Sequence, residues 1–177
     1  MAVPSESRAQ EPGWFDSDGQ RSPDSESQKS KSGFGGLLVI TKDQDWKEKW
    51  NTPPETKPEF STTSRVKIGE RITTLIFLIN PLRDQEGLTN VRCDIRVTRP
   101  DGTLSADEKD LECFKRVVPN EHIRNVHLAA PYIGWIGEPG DPLGEWVIQV
   151  WLTDKNRGVT LDLKICFTLE ADGSDSP

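Results

Sequence analysis

Two histidines, three cysteines, six tryptophans and a scatter of loop carboxylates are the residues of this chain that could do chemistry. A tetrahedral zinc site would need His122 and His127 to converge with a cysteine or carboxylate. Five residues apart on a strand, they point to opposite faces, so no metal site is expected. A histidine-based acid–base pair fails for the same reason. The chain also lacks a Gly-x-Ser-x-Gly elbow, a phosphate-cradling glycine loop with its lysine, and a His-Glu-x-x-His pair. Gly33-Phe34-Gly35-Gly36 is a flexible junction, not a nucleotide fingerprint. No catalytic residue and no cofactor are expected, and the chain does not read as an enzyme.

Carboxylates gather at Asp84-Gln85-Glu86 and at Glu138, Asp141 and Glu145, with Asp154 further on. Two of them facing one groove about 5–10 Å apart would suit glycoside hydrolysis. Their spacing matches no calcium loop. Solvation of loops is the preferred reading.

Cys93 and Cys113 sit on the two strands that flank the Pro100-Asp101-Gly102 turn, both with inward parity. In an exported protein they are expected to form a disulfide, closing about 20 residues and contributing about 3 kcal/mol in the chain-entropy model. In a reducing compartment they would be two buried thiols packed as small hydrophobes. Cys166, between Ile165 and Phe167, has outward parity and is expected to be unpaired.

Six tryptophans against one tyrosine is the strongest functional hint. Trp151 shares its face with Val147 and Gln149, opposite to core parity. Trp135 lies in a Gly-rich loop, and Trp46 and Trp50 crown a short turn. Exposed, these four would stack on a sugar or anchor a protein partner. The preferred alternative is that the N-terminal segment folds over that face and buries them as a second small core. Trp146, by contrast, has core parity.

The elements that must position these residues are strands. Residues 1–33 are rich in Ser, Pro and mixed charge and cannot offset their ordering entropy, so a disordered tail is expected there. Residues 34–170 form the domain, and 171–177 should fray. Leu37 to Thr41 is a first edge strand. Asp45 to Trp50 is a short helical turn with Asp43 or Asp45 as N-cap, and Pro53, Pro54 and Pro58 force an extended connection after it. Ile72 to Ile79 is apolar or Thr throughout, the mark of a central strand covered on both faces. Val91 to Val97, Asp110 to Phe114 and Val126 to Ala130 follow as strands. Trp146 to Leu152 and Val159 to Leu169 alternate around the Asp154 to Gly158 turn as a closing hairpin. Seven or eight short strands with hardly any helix predict an all-β, immunoglobulin-like antiparallel β-sandwich.

The net charge is -7, and lysines and arginines are scattered along the chain. Without a basic stripe, nucleic acid and anionic membrane surfaces are disfavoured partners. Leu75 to Ile79, the longest apolar run, is far short of a membrane span.

The run Asp141-Pro142-Leu143-Gly144-Glu145-Trp146, followed by alternation to Thr153-Asp154, resembles the penultimate strand of bacterial immunoglobulin-like modules. Trp146 stands where those modules usually carry tyrosine. Lys67-Ile68-Gly69-Glu70 and Arg99-Pro100-Asp101-Gly102 fit the same module. More closely, Gly35-Gly36-Leu37-Leu38-Val39, Trp46-Lys47-Glu48-Lys49-Trp50, Phe77-Leu78-Ile79-Asn80-Pro81 and Glu138-Pro139-Gly140-Asp141-Pro142-Leu143-Gly144 resemble an uncharacterised family of bacterial exported proteins. That likeness covers Gly35 to Leu169. It implies export to the periplasm or beyond, and no particular activity. No intact leader is readable, although the tail has the composition of a spacer behind a removed leader, and Ser7-Arg8-Ala9 has the form of a cleavage site. A periplasmic or secreted location follows if a leader was removed, a cytoplasmic one otherwise. Two functions remain open: a non-catalytic exported binding or accessory module holding a protein partner, and a carbohydrate-active or carbohydrate-binding protein.

Overall fold

The computed structural model describes residues 13–16, 18–53 and 57–172. The disorder expected of residues 1–12 and 173–177 lies outside the described residues.

Among the described residues, period-two alternation builds ten strands arranged in two sheets. The first sheet orders β1 (Gln28–Lys31), β2 (Phe34–Thr41) and β4 (Arg71–Ile79). Its far edge is shared by β7 (Val126–Leu128) and β8 (Ile133–Ile136), which pair with opposite ends of β4. The second sheet orders β3 (Arg65–Lys67), β10 (Val159–Glu170), β9 (Gly144–Asp154), β5 (Val91–Thr98) and β6 (Leu104–Phe114). Apart from β3 with β10, all pairs are antiparallel. The expectation of a wholly antiparallel fold is therefore corrected at one edge. Residues 68–158 lie between these two strands, which leaves room for the long connection that parallel pairing requires.

Beyond Arg71, β4 is buried on both faces, because each face meets a different core. Inward, Ile72, Ile76 and Leu78 join Leu38, Val150, Leu152 and Leu163 in the core between the sheets. Side chains of the second sheet close over Gly36, where a Cβ would stand 2.8 Å from Leu163 Cδ1 and 3.1 Å from Leu152 Cδ2. Trp146 plugs one end of this core, and its indole N–H donates to the Pro142 carbonyl at 3.0 Å. Outward, Leu75 and Phe77 carry a second core with Trp46, against which Trp14, Leu37, Val39, Trp50, Phe60 and Leu128 pack.

The short helix α1 (Trp46–Trp50) lies where the sequence places it. Neither expected acid caps it through its side chain. Asp43 instead takes the Lys49 ammonium and the Ser61 N–H on one oxygen, both at 2.8 Å. It thereby staples the returning chain to the helix over the second core.

The tail boundary differs from expectation. Gln28 to Lys31 pairs in register with Phe34 to Leu37, so ordered structure begins before residue 34. Glu26 just upstream and Lys29 within β1 also bridge the sheets: Lys164 N–H donates to the Glu26 carbonyl at 2.7 Å, and Lys29 Nζ to the Asp162 carbonyl at 2.6 Å. These bonds satisfy part of the β10 edge that β3 leaves open, an energetic return invisible to composition. Among the described residues, no helix is long and apolar enough to cross a membrane.

Candidate functional site

Because β5, β9 and β10 bury every second side chain, their remaining side chains form one outer face of the second sheet. Register places Asp94, Trp151 and Asp162 in a single row across that face. Trp151 is half-buried there, in a shallow depression of about 570 Å³ also lined by Arg92, Arg96, Lys109 and Lys155. The Arg96 guanidinium and the Lys109 ammonium each lie over the indole, 5.2 Å from its ring centroid. Cations so placed are attracted by the ring quadrupole.

Carboxylates on β6 hold these cations in position. Asp107 takes Lys109 at 2.9 Å and Arg96 at 3.4 Å, and the Lys109 ammonium, with Arg96 beside it, keeps its carboxyl below the usual range. A register shift between Cys93 and Ile95 opens a bulge in β6 opposite Asp94. Within it Asp110 adopts a left-handed backbone, φ 50°, and donates its N–H to Asp94 Oδ1 at 2.8 Å. The Asp110 carboxylate accepts from Arg92 Nε at 2.9 Å, which lowers its own pKa and raises that of Arg92. The face is a cross-linked lattice of charges around one large aromatic.

The four tryptophans singled out from the sequence separate clearly. Trp46 and Trp50 belong to the second core, the former edge-on to Tyr132 at 4.8 Å and the latter against Phe77 at 5.3 Å. Trp135 packs on Trp146 and Phe167 at 5.1 and 4.7 Å, closing the main core. Burial in a second small core, the reading preferred from the sequence, is where Trp46 and Trp50 lie, with Trp14 of the N-terminal segment packed beside them. Trp135 stands on β8 rather than in a loop, and it packs on the main core instead. Trp151 alone of the four stands on the outer face of the second sheet.

A disulfide joins Cys93 to Cys113, and Cys166 is a free, half-buried thiol whose pKa burial pushes up. His122 is exposed, whereas His127 packs against Phe114 at 4.9 Å and burial lowers its pKa. Among the described residues no group of three His, Cys, Asp or Glu could hold a metal ion. The loop carboxylates serve the backbone. Asp84 accepts the N–H groups of Glu86 and Leu88, Asp141 that of Glu138, and buried Asp154 that of Leu82.

Sequence reading missed the cations around Trp151. Parity puts Arg92 and Arg96 opposite the core, but the bulge that brings Lys109 to the indole leaves no sequence signal.

No protein family and no curated protein matches the chain. Its fold is similar in part to solved structures of diverse kinds. A family 123 glycoside hydrolase from Clostridium perfringens matches at 11% identity and TM-score 0.43, over 77% of this chain and 27% of its own. A DNA glycosylase from Pseudomonas fluorescens matches at 16% identity and TM-score 0.40, over 61% and 28%. A CARDB domain from Pyrococcus furiosus matches at 12% identity and TM-score 0.36, over 62% and 81%. The chain thus spans under a third of the first two proteins.

Proposed function

We propose that this chain is a non-catalytic, exported binding or accessory module of immunoglobulin-like type, which holds a protein partner across the outer face of its second sheet. The observation that carries this reading is Trp151, set between Arg96 and Lys109 in an open depression. A half-buried tryptophan with fixed charges around it combines a large apolar contact with oriented polar ones, the make-up of protein interface anchors. The same geometry favours a protein over a sugar. Arg96 and Lys109 lie over the indole, where a pyranose ring would have to stack. Export is supported by the Cys93–Cys113 disulfide, since such bonds persist in oxidising compartments. Asp84, Asp141 and Asp154, engaged in holding turns, lend no support to a hydrolytic pair.

Site-specific photo-crosslinking tests the proposal. A photoreactive residue at Thr153, carried by the full chain in its producing cell, is expected to trap a discrete polypeptide. The same group at Asn51 should not, and Trp151→Ala should abolish the adduct. No adduct above the Asn51 control, or a soluble glycan that perturbs Trp151 fluorescence at saturable concentration, would remove this reading.

A further inference from the structure

Two separate pieces of chain cover the outer face of the first sheet. One is α1 with its returning connection, held by the Asp43 staple. The other is made of residues 13–16 and 18–22, which hydrogen-bond to one another. Ser22 N–H donates to the Trp14 carbonyl at 2.8 Å, and Asp16 N–H to the Gln20 carbonyl at 2.9 Å. The Asp16 carboxylate accepts from the N–H groups of Asp18 and Gln20. Toward the rest of the domain, the side-chain bonds among the described residues run to β1: Gln28 to Ser22 at 2.9 Å and Arg21 to Ser30 at 3.5 Å.

What seats this turn on the sheet is one indole. Trp14 packs on the second core and lies over Gly35, where a Cβ would stand 2.9 Å from its Nε1 and 2.6 Å from Ile79 Cγ1. Gly35 is thus a cradle that any side chain would fill. The Trp14 Nε1–H is buried without a hydrogen-bond partner, so docking forfeits its hydration and gains no bond in return. A turn seated on the sheet through an indole with no hydrogen-bond partner among the described residues differs from the stapled Trp46 beside it.

We propose that the Gly35 cradle is a binding groove for a tryptophan-bearing segment of a partner protein, occupied in cis by the chain's own Trp14 turn until a competitor displaces it. The occupant's chemistry is read from the segment already seated there: an indole followed by a tight acidic turn. Tethering gives that segment an effective concentration of the order of mM, so a partner must outcompete it or meet it undocked. The groove lies on the first sheet, and this inference does not rest on the Trp151 surface.

A labelled synthetic peptide of residues 11–23 is the probe, titrated by fluorescence anisotropy into full-length chains. Saturable binding to Trp14→Ala is expected, at least about tenfold tighter than to the wild type, since the tethered turn no longer competes. Adding Gly35→Val to Trp14→Ala should abolish it, as should replacing the tryptophan in the peptide. Absence of saturable binding to a cooperatively melting Trp14→Ala chain, or equal binding to both chains, overturns the proposal. So does a peptide-sensitive dimer of the wild type, which would make a second copy the occupant. Should Trp14→Ala fail to fold, hydrogen exchange on the wild type decides. The Trp14 indole N–H should exchange about a hundredfold or more faster than the β4 amides, by local opening, and matched rates would overturn the proposal.

Discussion

Asp154, with no exposed surface, holds the guanidinium of Arg157 at 3.3 Å and so locks the β9–β10 turn onto the far end of the first sheet. The same carboxylate oxygen accepts the Leu82 N–H at 2.8 Å. Arg157 continues outward to the carbonyls of Ser32 and Asn80 at 2.7 and 2.9 Å. One ion pair therefore ties together the β1–β2 turn, the end of β4 and the closing hairpin.

Removing Arg157 strands a buried carboxylate and leaves two carbonyls without their donor. Arg157→Ala is expected to cost about 3 kcal/mol, toward the lower end for a broken buried pair because the arginine is partly exposed. Denaturant midpoints measure it. A loss below about 0.5 kcal/mol, ordinary for a surface change, would show that the lock does not hold.

Trp146 is expected to be the costliest aromatic truncation. It is 1% exposed and packs edge-on to Trp135 at 5.1 Å and parallel to Phe167 at 6.1 Å. Trp146→Ala should cost about 3–5 kcal/mol through the cavity it leaves. Trp151→Ala, on the outer face, should cost clearly less for folding. Comparison of the two unfolding midpoints checks the order, and a reversal would exchange the inner and outer faces of β9.

Acid sensitivity should concentrate at Asp43. Its pKa is held down to about 2 from 3.8, first by the Lys49 ammonium and then by the Ser61 N–H, against the opposing pull of burial. A lowered folded-state pKa means its stabilisation is fully present above the ordinary value and is lost as pH falls toward about 2. Asp43→Asn is expected to be less stable than the wild type by about 1.5 kcal/mol near neutrality. The gap should close on acidification through that window. A gap unchanged from neutral pH to pH 2 would show that Asp43 does not carry the effect.

Limited proteolysis should stop before Gln28, not at the Gly33 to Gly36 junction. Lys164 grips this segment twice, through its N–H to the Glu26 carbonyl and its ammonium to the Glu26 carboxylate, both at 2.7 Å. Deleting residues 1–32 uncovers β2 and the β10 edge, and should lower the melting temperature by several degrees, as a loss of about 1–2 kcal/mol does in a domain of this size. Mass spectrometry of the stable fragment gives the boundary. A fragment that begins at Gly33 and melts like the full chain would detach β1 from the domain.

Most strands and their faces were readable from the chain alone, β1 and β8 excepted. Alternation along Val91 to Val97 and Trp146 to Leu152 named the buried residues, the unbroken apolar run of β4 announced two covered faces, and inward parity put Cys93 and Cys113 in the core, leaving open whether they bond. These follow from the covalent geometry of an extended chain, which sends successive side chains to opposite sides whatever lies nearby. Tertiary structure alone decided which strands are neighbours and what covers each outer face. Composition assigned Gln28 to Lys31 to a disordered tail, yet those residues pair because β2 offers them an open edge. Trp46 and Trp151 look alike as isolated tryptophans near charges. One is buried by a returning segment, and the other meets Arg96 and Lys109 through a bulge in a strand more than forty residues away. Contacts of that range depend on where the whole backbone goes, and no local pattern encodes them.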